Sequence, residues 1–463
     1  MARAQVTDLV VVLPGILGSR LADADGRAVW DLSGPALLRG LRGFGRSVDA
    51  LRLPKDIGDG DPGDGVVPVG LMPDLHALPG IWHPVDGYTD LLRWLERHFT
   101  LSVSDNLLTF PYDWRLSCRH SAERLKGRID LELERWRASA PERREARVVF
   151  LCHGMGGLVA RHYVERLGGH GITRRVITLG TPHRGSVRAL ADLVEGERTA
   201  DPDLGPFARS LPSLHQLAPD YACVEGPDGL AHLRDLPGLP GVDEALLADA
   251  ARFHADLRGA PPRADLYAIA GTGQPTATTA RYAGDRLTLI PGPDGDGTVP
   301  RLGGAAGPGT PYEPCTPYEQ HGSLQNNRAV REALRGLLGD GPPLPGSADG
   351  TDRTDGAVRT DGAHGPDGAD RTHGADPAAR LGVRLLPVLP AGVPYEVTVT
   401  APDDARLLMA ELRPADGGRP VARALRSLGG GRYGVAFPPP EPGAYRLSVG
   451  PVTALSVIRR SAL

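Results

Sequence analysis

The segment Arg147–Tyr163, RVVFLCHGMGGLVARHY, carries the strongest chemical signal in the sequence. A near-continuous apolar run ends at Cys152, a tight turn of small residues follows, and a helical pattern resumes at Leu158. A strand-to-helix turn of this kind lifts one residue above the end of a sheet. It needs small residues two positions before and two after the tip, here Cys152 and Gly156 around Gly154. A nucleophilic side chain set at that tip would stand exposed above the sheet; glycine supplies the backbone freedom the turn demands and no reactive oxygen. The turn should therefore survive without its covalent step. A phosphate cradle is the other use of such a turn, but it calls for more glycine before the helix or a following Lys-Ser/Thr, and neither is present.

Other side chains could serve as nucleophile. Cys152 is chemically suited, since a thiolate attacks well, yet it sits where the strand end needs a small residue. Ser186 and Ser323 stand away from any strand-to-helix turn. His153 and His183 are candidates for a pocket lining, with ordinary packing as the alternative for both. Trp114 could be a substrate platform or plain core.

The elements that would position these residues alternate along the first part of the chain. Val6–Leu13, the run leading into Asn106–Phe110, Arg147–Cys152, Arg175–Leu179, Asp265–Ala270 and Arg286–Ile290 read as strands, and Ser121–Ala138 and Leu158–Leu167 as helices. Strands alternating with helices imply a mostly parallel sheet, an α/β architecture buried on both faces. Residues 187–262 have no clear place in that sheet and are expected as helices and loops covering the site.

The expected organisation is an α/β domain over 1–338, a Gly/Asp/Arg/Thr-rich disordered linker over 339–380, and a small all-β, immunoglobulin-like sandwich over 381–463. The linker repeats Asp-Gly and Arg-Thr units with almost no large apolar side chain, so its two histidines, His364 and His373, read as incidental rather than as metal ligands. The last segment alternates with period two in Tyr395–Thr400, Arg406–Leu412, Tyr433–Phe437 and Tyr445–Val449. It carries no catalytic constellation, which leaves a packing role or a protein partner for the sandwich.

With 52 basic against 56 acidic residues the chain has a net charge of −4, and the two signs are interspersed. That excludes a nucleic-acid-binding surface of the usual basic kind. Four cysteines without paired or metal-type spacing point to a reducing, cytoplasmic setting. The first apolar run stops at Pro14, too short for a signal-peptide core, and no run reaches the length of a transmembrane helix. No metal or organic cofactor is implied.

The turn at Gly154 is similar to the nucleophile elbow of α/β-hydrolases, a fold that also carries a cap region. Five further segments narrow the likeness: LPGILGSR at Leu13–Arg20, FPYDWR at Phe110–Arg115, LGTPHRGS at Leu179–Ser186, DGDGTVP at Asp294–Pro300 and QHGSL at Gln320–Leu324. In this order, over roughly residues 8–335, they resemble the lecithin:cholesterol acyltransferase family, including its lipase-like bacterial members. The resemblance implies a serine lipase, esterase or O-acyltransferase acting on acyl esters of lipids. It places the catalytic acid on Asp296, the base on His321, the nucleophile position on Gly154, and the oxyanion-hole N–H groups on Ile16 and Met155. Asp296 as a turn cap and His321 as a surface loop residue remain the plain alternatives. The expected function is thus a lipid-ester hydrolase or acyltransferase impaired at Gly154, with a lipid- or protein-binding pseudo-hydrolase as the alternative.

Overall fold

The computed structural model describes residues 3–31, 51–74, 87–194, 205–226, 229–236, 238–239, 242–259, 264–283, 286–292, 294–305, 317, 319–339, 382–384, 388–401, 408–414, 418–429, 431–450 and 452–459. Apart from Gly339, the expected linker with His364 and His373 lies outside the described residues.

Five strands rich in β-branched residues form the central sheet: Leu9–Leu13 (β1), Leu107–Thr109 (β2), Val148–His153 (β3), Thr173–Leu179 (β4) and Asp265–Ile269 (β5). Their order is β5-β4-β3-β1-β2, and every neighbouring pair is parallel. The chain moves from β1 outward to β2, then crosses to the other side of β1 for β3. The order therefore reverses between β1 and β3, and the crevice beyond the carboxyl ends of those two strands is where such sheets bind ligands. Leu13 pairs with Cys152 across them, so both strands end at one level.

The central strands β1 and β3 are apolar on both faces because both are covered. Leu9, Val11, Leu13, Val148, Phe150 and Cys152 join one core, while Val10, Val12, Val149, Leu151, Ile177 and Leu179 join the other. The second core is completed by Thr89–His98 (α1), through Leu91, Trp94 and Leu95. The first is completed by Cys118–Ala138 (α2) and Gly156–Arg166 (α3), through Leu125, Ile129, Leu158 and Val159. The period-two alternation of the strands and the helical spacing of α2 thus meet in one packing scheme. At about 0.8 kcal/mol per buried CH2, these two cores supply the main drive for folding.

Two expectations need correction. Arg286–Gly292 is a strand, but it pairs antiparallel with Thr276–Ala283 in a separate four-stranded sheet. Residues 187–262 divide between two places. Val187–Val194 (α4) and Pro212–Gln216 (α5) lie over the strand ends and supply Ala189 and Leu214 to the cleft described below, with Leu217 just after α5. Glu244–Gly259 (α6) instead joins the outer helices. Asp249 pairs with Arg119 of α2 at 2.8 Å, and Phe253 stacks on His162 of α3 with ring centroids 5.7 Å apart. Its 3.6-residue pattern is the same for either location, so the sequence could not choose between them.

Beyond the described part of the linker, the chain forms two small sheets. Tyr395–Thr400 and Arg432–Phe437 pair antiparallel in one; Met409–Pro414 and Gly443–Val449 pair antiparallel in the other. Val397, Val399 and Phe437 from the first sheet share a core with Ala410, Leu412, Leu447 and Val449 from the second, as in a β-sandwich. Among the described residues, no helix is long and apolar enough to cross a membrane.

Candidate active site

Gly154 sits at the tip between β3 and α3 with φ of +50°, a conformation strained for any residue with a side chain. Three bonds hold the tip: Gly154 N–H donates to the Leu179 carbonyl (2.9 Å), Gly157 N–H to the Gly154 carbonyl (3.1 Å), and the Thr181 hydroxyl to that same carbonyl (2.8 Å). The small residue at 156 is a steric necessity. A Cβ there would stand 2.5 Å from the Pro14 carbonyl oxygen, because α3 starts against the end of β1.

Asp296 and His321 come from loops beyond β5 and meet at the tip. The Asp296 carboxylate accepts from His321 Nδ1–H at 2.8 Å. Its other oxygen accepts from the backbone N–H groups of Thr298 (3.0 Å) and Val299 (2.7 Å), and the residue is 2% exposed. His321 N–H in turn donates to the Asp296 carbonyl at 2.8 Å. With Nδ1 committed to the carboxylate, Nε2 is the free basic nitrogen. A Cβ built on Gly154 would lie 3.1 Å from that Nε2. The dyad is thus oriented on the place where the tip residue's side chain would begin. Gly180, with φ of +60°, leaves the dyad its room: a Cβ there would sit 2.8 Å from His321 Nδ1 and 2.9 Å from Asp296 Oδ2.

Ile16 lies in the turn after β1, which Gly18 N–H closes by donating to the Gly15 carbonyl at 3.0 Å. Leu17 follows at φ of +64°, a left-handed conformation that costs a bulky residue on the order of 1 kcal/mol. Backbone strain of this kind is kept where geometry matters more than local comfort. Ile16 and Met155 both line the cleft with Gly154 and His321, and no acceptor takes their N–H groups among the described residues.

The cleft spans about 740 Å³ of space, the open solvent at its mouth included. Leu17, Ala189, Leu214, Leu217 and Val299 make its wall largely apolar, with Arg188 and Asp192 paired at 3.1 Å on α4. Such a lining suits an apolar ligand group.

The remaining candidates fall into place individually. His153 lines the cleft but is 3% exposed and bonded through both ring nitrogens. Burial, followed by the neighbouring His321, pushes its pKa down to about 3, so it is neutral. His183 and Trp114 stand away from the cleft, against the expectation for a pocket lining. His183 is buried between Arg161 and Thr178, accepting from the guanidinium at 3.1 Å. Trp114 is fully buried, donates to the Ser19 carbonyl at 3.2 Å and packs edge-on against Trp30 at 5.0 Å. Cys152 is fully buried, and burial raises its thiol well above the ordinary range, which removes the thiolate a nucleophile needs. The Ser186 hydroxyl faces the cleft but donates to the Thr298 carbonyl, and Ser323 is buried in a 3-10 turn. Sequence reasoning passed over Tyr88 and Gly180. Tyr88 belongs to no quoted motif and reaches the site only through the packing of α1; Gly180 was visible within LGTPHRGS, but its role depends on what folds over it.

The lecithin:cholesterol acyltransferase family model matches residues 84–213, the stretch that includes FPYDWR, the turn at Gly154 and LGTPHRGS. Among solved structures, a chain in the crystal structure of the Tle4–Tli4 complex is similar at 17% identity, with a TM-score of 0.46, covering 72% of this chain and 98% of that one. The mature Bacillus licheniformis lipase BlEst2 is similar at 12% identity with a TM-score of 0.34, covering 72% and 92%. Phospholipase PlaB from Legionella pneumophila is similar at 12% identity with a TM-score of 0.30, covering 80% and 87%. No curated protein matches this sequence. Over residues 84–213 this chain carries the lecithin:cholesterol acyltransferase family pattern, set in an α/β-hydrolase fold.

Proposed function

We propose that this protein is a lipase-type α/β-hydrolase that binds acyl esters of lipids and is disarmed for covalent acyl transfer at Gly154. One observation carries the reading: a complete Asp296–His321 dyad points Nε2 at a bare glycine, inside an apolar cleft. In this reading Asp296 orients His321, His321 is the base, and the Ile16 and Met155 N–H groups are the oxyanion donors. No acyl-enzyme forms, because the tip has no oxygen to acylate. The retained cleft supports lipid binding as the surviving activity.

A second reading has its own support. The lone pair of Nε2 faces the cleft, so a water there could be activated to attack an ester directly. A hydrolase that has lost one triad member can keep a rate about 10³- to 10⁴-fold over water. That would be slow hydrolysis with no transfer to an alcohol through a covalent intermediate.

The same proposal takes residues 1–338 as the hydrolase domain, 339–380 as a linker, and 381–463 as a sandwich module suited to a protein partner. The buried free thiols of Cys118, Cys152 and Cys223 fit a reducing, cytoplasmic setting.

Displacement of a fluorescent fatty acid tests the binding reading. Saturated fatty acids should compete with affinity that rises as the chain lengthens, because each buried CH2 adds about 0.8 kcal/mol. Ala189→Trp, which fills the cleft wall, should abolish competition in protein that circular dichroism shows to be folded. Affinity that ignores chain length, or survives Ala189→Trp, would count against an acyl-binding cleft.

A further inference from the structure

We propose that His153, clamped by Tyr88, is a positioning residue that ties the loop of His321 to the turn of Ile16, so that base and oxyanion donors are held as one body. This rests on the reading of His321 as base given above.

Three hydrogen bonds form a continuous chain. Gly15 N–H donates to the Tyr88 hydroxyl at 2.9 Å. The Tyr88 hydroxyl lies 2.9 Å from His153 Nδ1, and His153 Nε2 lies 2.9 Å from the His321 carbonyl oxygen. The proton positions follow from the end groups. A carbonyl oxygen only accepts, so Nε2 carries the hydrogen. Nδ1 of the neutral ring is then an acceptor, and the single Tyr88 proton is given to it. The Tyr88 oxygen accepts from Gly15 in the same arrangement, so every group is used once and in one direction.

Burial keeps this assignment fixed. Tyr88 is 1% and His153 3% exposed, and a His153 neutral down to about pH 3 does not change its donor pattern under ordinary conditions. The chain joins the turn after β1, the start of α1, the end of β3 and the backbone of His321. The His153 and His321 rings are also 4.8 Å apart and tilted by 33°, so a displaced His153 would move the base directly. Gly15 leaves space for this contact: a Cβ there would be 3.2 Å from His153 Nδ1.

The test uses the Gly154→Ser protein and two substitutions of the chain. Tyr88→Phe removes the middle hydroxyl and keeps the ring; His153→Leu removes the bonds to Tyr88 and to the His321 carbonyl; His153→Gln keeps one donor and one acceptor. Each of the first two should lower kcat about 10- to 100-fold with KM changed less than about 2-fold, since a small misplacement acts on the transition state and not on binding. His153→Gln should recover part of kcat. A merely structural histidine would lower the yield of folded protein and leave kcat per folded molecule unchanged, and that result overturns the proposal. If Gly154→Ser is itself inactive, the proposed function fails, and the positioning chain is judged on the natural protein by imidazole ¹⁵N NMR. His153 should remain one neutral Nε2–H species from about pH 5 to 8, and Tyr88→Phe should shift the His153 and His321 signals together. A His153 that titrates in that range, or a His321 signal indifferent to Tyr88→Phe, overturns it.

Discussion

Replacing Gly154 with serine should restore an esterase, and the structure sets both the gain and the cost. A Cβ at 154 meets only His321 closely, at 3.1 Å from Nε2; the next atom, Gly15 Cα, is an ordinary 3.5 Å away. The imidazole must give by a few tenths of an ångström, and its side chain is 14% exposed, on the open side of the dyad. At φ of +50° a serine carries strain of about 1–3 kcal/mol, offset by about 0.4–1 kcal/mol because the unfolded chain loses glycine's freedom. The net loss of about 0–2.6 kcal/mol should lower Tm by at most roughly 10 °C. The gain is larger. Removing a triad serine costs up to about 10⁶-fold in kcat, so supplying one to a preformed dyad should raise turnover of p-nitrophenyl esters by at least about 10²-fold. His321→Ala on top of Gly154→Ser should return the rate to that of the natural chain. The reasoning is refuted if folded Gly154→Ser is no faster than the natural protein, or if the natural protein already matches it.

Three further outcomes follow from particular contacts. Gly180→Ala in the Gly154→Ser protein should abolish the regained activity, because its Cβ would stand under 3 Å from both Nδ1 and Oδ2 of the dyad; esterase rate and Tm measured together separate this from unfolding. Arg115→Lys should destabilise the protein by about 3–5 kcal/mol in urea unfolding, since the fully buried guanidinium bonds Asp113 twofold, Asp64 at 2.8 Å and the Leu51 carbonyl at 3.2 Å, a set one ammonium cannot reproduce. Stability should also fall in mild acid. Burial holds His153 near pKa 3 and His162 and His254 near 4, below their unfolded value of 6.5. The unfolded chain therefore binds more protons between those values. Each histidine's contribution is fully present above pH 6.5 and is lost at up to about 1.4 kcal/mol per pH unit as pH falls towards its folded pKa. A Tm that is flat between about pH 7.5 and pH 5 would refute this.

The sheet was legible in the sequence because its strands are short apolar runs bounded by turns. Val148–His153 announces burial on both faces before any partner is known. Element identity survived even where pairing did not: Arg286–Gly292 reads as a strand, but period-two alternation says nothing of which sheet it joins. The tip at Gly154 was legible because its glycine and small-residue spacing answer a local constraint, the approach of α3 to Pro14. Asp296 and His321 are 25 residues apart and were reached by resemblance, since no local rule makes two loops meet. Tyr88 illustrates the limit. It is 65 residues from His153, and only the packing of α1 against the sheet brings its hydroxyl there.

The surroundings of the tip bear on the proposed function. The dyad is supported from two sides: Asp296 accepts two backbone N–H bonds as well as the imidazole, and Gly180 keeps space that any side chain would take. Leu17 keeps a strained conformation in the turn of Ile16. Strain of about 1 kcal/mol is a sizeable share of a stability margin of about 5–15 kcal/mol. Relaxing the turn would stabilise the chain if that turn had no ligand to meet. On the proposed reading glycine at 154 removes the covalent step; it also spares the tip the backbone strain a serine would bear at φ of +50°, while Leu17 nearby carries its own. Under that proposal, the asymmetry fits a site that engages the carbonyl of an ester without forming a bond to it.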